Sequence, residues 1–196
     1  MNGERLLKQI EFITEIDKVK QIFRQNIVIG TKRNENDAEH SWHLAIMAIL
    51  LLEHSVAKEM DILKVMKMVL IHDLVEIDAG DTFCYDEKAN EDKVEREELA
   101  AERIFNILPQ DQAEEFRRIW DEFEALETPE ACFANCLDRL QPLILNYHTN
   151  GHTWQNPGVN QEKVLKRNEL LKENAPQLWE YVNTVVEDSI KKGYLK

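Results

Sequence analysis

The fold of this chain turns on the segment Asp61-Ile62-Leu63-Lys64-Val65-Met66-Lys67-Met68-Val69-Leu70-Ile71-His72-Asp73-Leu74-Val75-Glu76. Asp61 suits a helix cap, because its side-chain oxygen can accept from the free amides of the first turn. Ile62, Val65, Met66, Val69 and Leu70 recur at steps of three and four, the spacing of one apolar helix face. That face runs directly into His72, Asp73 and Glu76, and Gly80 ends it. At about 100° per residue these three point to about 0°, 100° and 40° around the axis, so a helix places them in one arc beside Met66 and Val69. Two carboxylates and an imidazole on a core-facing stripe are costly unless a cation compensates them, and a divalent metal is the simplest candidate.

Helix signals continue in both directions. Leu6, Leu7, Ile10, Ile13 and Ile16 predict a helix over residues 4–25, broken by Gly30 and the polar stretch 31–36. Asn36 or Asp37 offers a cap, with Glu39 completing a capping box, and the apolar run 42–56 predicts a long buried helix from 37 or 38. Helices are expected at 90–108, stopped by Pro109, and at 111–126. Thr128 and Pro129 start another, lined by Phe133, Cys136, Leu137 and Leu140. Residues 146–159 read as a loop around Trp154, and helices at 160–173 and 176–192 close the chain. No sustained period-two alternation is present. The expectation is all-α: one helical domain over 1–196, with a metal core at about 36–145 and helices 160–192 packed on it.

With 196 residues, 43% hydrophobic, 31% charged and only six glycines and five prolines, the chain is neither collagen-like nor low-complexity. The longest apolar run, Leu44 to Leu52, is far short of the ~20 residues that span a bilayer. The N-terminus shows no apolar leader core, so a cytoplasmic location is expected, with Cys84, Cys132 and Cys136 as free thiols. The net charge of −13 opposes nucleic-acid polymers as partners, though a small phosphorylated molecule is admissible. Residues 86–130 hold 16 acids against 6 bases, while 18–34 hold Lys18, Lys20, Arg24, Lys32 and Arg33 with no acid.

Asp138 repeats the anomaly of the first segment. It lies between Leu137 and Leu140 on an apolar helix, with Ala134, Gln141 and Leu145 on its own face. Pro142 lacks the amide that would bond the Asp138 carbonyl, so a kink there can aim Asp138 inward. His40, in the first turn of the helix after Asn36, is the fourth member, close to amides that favour anions. His43 points elsewhere and reads as packing or as support for the ligands.

Glu39-His40, His72-Asp73 and Asp138 in an all-α chain resemble the H…HD…D signature of HD-domain metal-dependent phosphohydrolases. Glu35-Asn36-Asp37-Ala38-Glu39-His40-Ser41, His72-Asp73-Leu74-Val75-Glu76, Ala79-Gly80-Asp81-Thr82 and Leu137-Asp138 resemble the 5′-deoxynucleotidase branch of that family. The resemblance implies that His40, His72, Asp73 and Asp138 hold one divalent ion. It implies Glu76 as the catalytic carboxylate, with Asp81 and Thr82 at the substrate beside His40 and Asp73. An arginine on the first helix orients the phosphate in that branch, and Arg24 is the match. Some members carry Arg-Trp there, with the Trp on the nucleoside, where this chain has Arg24-Gln25.

Two imidazoles and two carboxylates leave open positions on an octahedral ion and suit Mn, Co, Ni, Fe, Zn or Mg. The expected reaction is removal of the 5′-phosphate from (deoxy)nucleoside monophosphates by metal-activated water, in a homodimer as the resemblance implies. The alternatives are an HD-type phosphodiesterase, a nucleoside polyphosphate or alarmone hydrolase, and a non-enzymatic module keeping a structural metal.

Overall fold

The computed structural model describes residues 2–196; Met1, where the reading for a leader begins, lies outside the described residues. Helix α1 spans Asn2–Ile16. Most of its predicted apolar stripe stays out of the core: Leu6, Leu7, Ile10 and Ile13 are exposed, Ile16 packs against the core half-buried, and Phe12 turns inward. Phe12 meets Phe116 edge-on with ring centroids 5.4 Å apart.

The helix predicted to run to residue 25 stops early. A 3₁₀ turn at Asp17–Gln21 leads into strand β1, Phe23–Ile27, which pairs antiparallel with β2, Asn34–Asn36. The β-branched run Ile27-Val28-Ile29 favours extended backbone, and Gly30 supplies the positive φ of 77° at the turn. Arg24 therefore sits on a strand and not on the first helix. Asn34 Nδ2 donates to the Arg24 carbonyl at 2.6 Å, which ties the ribbon at that residue. The fold remains all-α around this small ribbon.

Helix α2, Asp37–Leu51, begins with the predicted capping box: Asn36 accepts from the Glu39 amide, and Glu39 accepts from the Asn36 amide. It is buried on one side only. Leu44 and Ala48 are enclosed, but Trp42, Ile46, Ile49 and Leu50 are exposed, Trp42 by 64%. Helix α3, Ile62–Ile71, is capped by Asp61 at the amides of Leu63 and Lys64. It tightens into a 3₁₀ turn at His72–Val75 before the short helix α4, Glu76–Ala79, ends at Gly80 with φ 75°. The straight-helix angles predicted for His72, Asp73 and Glu76 thus do not hold, yet all three are buried.

Helices α5 (Lys93–Phe105), α6 (Gln110–Ala125) and α7 (Pro129–His148) follow. Residues 153–155 make a 3₁₀ turn that buries Trp154. The helix predicted at 160–173 is split into α8 (Gln161–Arg167) and α9 (Leu170–Asn174), and α10 spans Pro176–Lys191. The split falls at Asn168, whose side-chain amide donates to the Val164 carbonyl in place of the next helical turn.

The core sits where α2, α3 and α7 pack on one another, with α6 against α3 and α7 and with α9 and α10 closing on α7. Leu44, Val65, Met68, Phe133 and Leu137 are almost fully enclosed there, each contributing about 1.5–3 kcal/mol. Burying α2, the end of α3 and the middle of α7 against one another brings His40, His72 and Asp138 to one level. Among the described residues, no helix is long and apolar enough to cross a membrane.

Candidate active site

His40 enters from the first turn of α2, His72 and Asp73 from the 3₁₀ turn after α3, and Asp138 from α7. His40 Nε2 lies 3.0 Å from Asp138 Oδ1 and 3.9 Å from Asp73 Oδ2. His72 Nε2 lies 3.1 Å from Asp73 Oδ1 and 3.8 Å from Asp138 Oδ1. One donor atom each from His40, His72 and Asp73 falls within 4.8 Å of the others. His40, His72 and Asp73 are thus brought together, and Asp138 joins them through its contacts with the two imidazoles.

The other nitrogen of each ring fixes its tautomer. His72 Nδ1 donates to the Val69 carbonyl at 3.0 Å, so its proton is on Nδ1 and Nε2 is a bare acceptor facing carboxylates. That Nε2 is buried without a hydrogen-bond partner. His40 Nδ1 faces Gln141 Oε1 at 3.1 Å, and the Gln141 amide is oriented by donating to Glu35 Oε1 at 2.7 Å. Its Nε2 also meets His43 Nδ1 at 3.2 Å. His72 Nε2 is an acceptor facing carboxylates in a buried site, an arrangement that a cation relieves, so this donor set fits a divalent ion. Burial and Arg24 oppose a charge on His40, yet the hydrogen bonds to Asp138 and Glu35 and the field of Asp73 outweigh them and raise its pKa to about 9. Burial alone would raise Asp138, but His40 and His72 hold it well below the carboxylate range.

Arg24 stands among the remaining carboxylates. Its Nη1 is 3.0 Å from Asp73 Oδ2 and 3.6 Å from Asp37 Oδ1, with Asp81 at 4.0 Å and Glu35 at 3.9 Å from Nε. Asp37 is fully buried with both oxygens unpartnered, and burial together with Asp73 pushes it up to about 7. Glu76 Oε2 is likewise buried and unpartnered; burial, then Asp73 and Asp37, hold its pKa well above the usual carboxylate value.

These groups face a cavity of about 260 Å³. Arg24, His72, Asp73, Glu76, Asp81 and Asp138 line it, while His40 lies behind, fully buried. Thr82 also lines it and accepts from Arg96 Nη2 at 3.2 Å. Lys32 and Arg33, from the basic segment, do not line it, and Arg33 is paired with Glu39 at 2.8 Å on the surface. Arg139 and Arg167 also line the cavity; they escape a reading that weighs only residues on apolar faces and in the acid-free segment. Asp37 reads from the sequence as a helix cap, and Glu35 stands there only within the motif around His40.

Residues 16–179 match the model of a family described as HD domain. Among solved structures, a predicted metal-dependent phosphohydrolase from Magnetospirillum magnetotacticum MS-1 superposes with a TM-score of 0.91 at 47% identity, over 100% of this chain and 97% of that one. Human 5′-deoxynucleotidase HDDC2 is 28% identical over 144 residues, 73% of this chain and 68% of the human one. Its Danio rerio counterpart is 29% identical over 154 residues, 78% and 74% of the respective chains.

Proposed function

The chain belongs to the HD-domain family and is a metal-dependent phosphohydrolase, and on that premise we propose that it removes the 5′-phosphate from deoxynucleoside monophosphates. The observation that carries this reading is the convergence of His40, His72, Asp73 and Asp138 at the base of a cavity that also presents Glu76, Arg24 and Asp81.

In this proposal, His40 Nε2, His72 Nε2 and the carboxylates of Asp73 and Asp138 would hold one divalent ion. The ion supplies neutralisation of phosphoryl charge and a water acidified toward neutral pH. Glu76, one turn beyond His72 with Oε2 free, takes the proton from the attacking water and returns it to the leaving oxygen. Arg24, anchored by Asp73, orients phosphoryl oxygens through its guanidinium fork. Asp81 and Thr82, which also line the cavity, take the sugar side, and Gln141 and Glu35 hold His40 in its tautomer.

We extend the proposal to a homodimer formed through α2, whose Trp42, Ile46, Ile49 and Leu50 would otherwise leave a continuous apolar face in water. The three cysteines stand as free thiols, in keeping with a cytoplasmic location.

The deciding experiment is metal-stimulated phosphate release from a panel of nucleoside 5′-monophosphates, 3′-monophosphates and triphosphates. Release from the 5′-monophosphates, abolished in Glu76→Ala, is expected. Preference for triphosphates would replace this reading, and Ile49→Glu shifting the molar mass by light scattering tests the dimer separately.

A further inference from the structure

The four-residue cluster has an arginine on each flank. Arg24 Nη1 lies 3.0 Å from Asp73 Oδ2, and Arg167 Nη2 lies 3.3 Å from Asp138 Oδ2. Both line the same cavity, but their charges are differently committed. Arg24 is nearly enclosed and shares its charge among Asp73, Asp37, Glu35 and Asp81, so that side of the cavity is locally negative. Arg167 has Asp138 alone, whose other oxygen is already 3.0 Å from His40, and it stays 39% exposed.

Arg139, on α7 one residue after Asp138, lines the cavity beside it. Its Nε is buried with no hydrogen-bond partner, and its guanidinium is in no ion pair among the described residues. Between them the two guanidiniums have one carboxylate in ion-pair range, Asp138, and that one is engaged by Arg167. This is a chain with 37 acidic side chains against 24 basic ones, and most of its other arginines are paired, as Arg5 is with Asp111, Arg33 with Glu39 and Arg117 with Asp121. Two arginines left short of acids in the cavity of such a protein mark the place where an anion belongs.

We propose that Arg139 and Arg167 form an anion-binding wall that holds the phosphoryl dianion of the substrate at the Asp138 end of the cluster, with Arg24 at the Asp73 end. The proposal rests on the reading of the chain as a phosphomonoester hydrolase. Two guanidiniums match the two charges of a monoester, and each can give a forked pair of N–H bonds to phosphoryl oxygens. A phosphodiester, with one charge and one oxygen fewer to offer, is held less well, so the wall also selects monoesters.

The probe is inorganic phosphate, titrated calorimetrically into the metal-loaded protein. Arg139→Met keeps most of the buried stem and Arg167→Gln keeps a donor to Asp138, so both variants are expected to fold and to retain one metal per chain by elemental analysis. Phosphate affinity should fall at least tenfold in each and further in the double variant, while Arg33→Gln, outside the cavity, leaves it unchanged. In turnover, KM for a 5′-monophosphate should rise more than kcat falls. Phosphate affinity within twofold of the parent in the double variant would overturn the proposal. So would loss of metal in Arg167→Gln with phosphate affinity unaltered in Arg139→Met, since Arg167 would then serve only to hold Asp138. If phosphate binds at the wall and no monophosphate is hydrolysed, the proposed reaction fails and the wall stands.

Discussion

Gln141 holds His40 from behind: its Oε1 lies 3.1 Å from His40 Nδ1, and the side chain is wholly buried. Its amide group is used in full, since Nε2 also donates to Glu35 Oε1 and to His43 Nδ1. The carbonyl end is therefore locked toward His40, which keeps the Nδ1 proton and leaves Nε2 for the cage. Gln141→Leu keeps similar bulk but removes the acceptor and leaves the buried Glu35 carboxylate without its donor. Metal affinity, measured by competition with a chromophoric chelator, should fall by roughly 10- to 100-fold. An unchanged affinity would mean that the tautomer is set by the metal itself and not by Gln141.

Arg24 is the sole arginine among Asp37, Asp73 and Asp81, and its side chain is only 13% exposed. Arg24→Ala should lower kcat/KM for a 5′-monophosphate at least tenfold. It should also lower the stability of the metal-free protein by about 3–5 kcal/mol, because it strands buried carboxylates. Arg24→Lys should recover part of the stability but little of the activity, as a single ammonium cannot bridge Asp73 and phosphoryl oxygens at once. Chemical denaturation with chelator present and steady-state kinetics with metal present separate the two effects. If Arg24→Ala keeps kcat/KM within twofold of the parent, the phosphate-orienting role is wrong.

How far the sequence discloses this site follows from what each residue interrupts. His40, His72, Asp73 and Asp138 break apolar faces, so their convergence is legible without a structure. Arg24 is legible as a cation in an acid-free segment, but not as a strand residue. A five-residue strand paired to a three-residue one is imposed by the turn at Gly30 and by contact with α7, which leave no periodic pattern. Asp37 reads as a cap and is in fact a fully buried partner of Arg24. Arg139 and Arg167 meet only because α7 and α8 border the same cavity, a long-range relation that no spacing encodes. The apolar run of α2 discloses a helix but not which side faces inward, and half of it faces out.

Away from the site, Glu15 accepts from Lys18 and Arg103, each at 2.7 Å, and these bonds hold its pKa below the ordinary value. A carboxyl lowered on folding adds stability above its unfolded pKa of about 4.3, and that stability is lost as pH falls through the folded value. Glu15→Gln should therefore be less stable than the parent at pH 7 and nearly equal to it at pH 3. Urea denaturation at the two pH values measures this, and a gap that widens in acid would contradict the assignment.

Gly151 tests the closure of the C-terminus. It has φ 73°, and a Cβ there would lie 2.2 Å from the Tyr194 carbonyl oxygen, a backbone atom that cannot simply rotate away. Its amide is also fixed by a 2.7 Å bond to the Asn146 carbonyl. Gly151→Ala should displace residues 193–196 and lower stability by more than the ~1 kcal/mol typical of a positive-φ position alone. Metal content should persist, because the cage residues lie on other elements. Thermal unfolding and elemental analysis together check both halves, and a midpoint equal to the parent's would show that the terminus docks loosely.

Glu76 separates a ligand from a proton carrier. It follows His72 by four residues through the 3₁₀ turn, and its Oε2 is buried beside Asp73 and Asp37 with no partner. The imidazoles of His40 and His72 already meet the carboxylates of Asp73 and Asp138 at 3.0–3.9 Å without it. Glu76→Gln preserves shape and removes the ability to take a proton. The variant should therefore retain one metal per chain and lose activity by about 10²-fold or more. Glu76→Asp, with its carboxyl withdrawn by one methylene, should regain only part of the rate, since proton transfer depends on reach as well as on basicity. Loss of metal in Glu76→Gln would make Glu76 a ligand, and the proton would then have to pass through another group, Asp37 being the buried carboxyl with both oxygens free of hydrogen bonds. The double variant Glu76→Gln with Asp37→Asn distinguishes these routes: it should be no slower than Glu76→Gln alone if Glu76 carries the proton by itself.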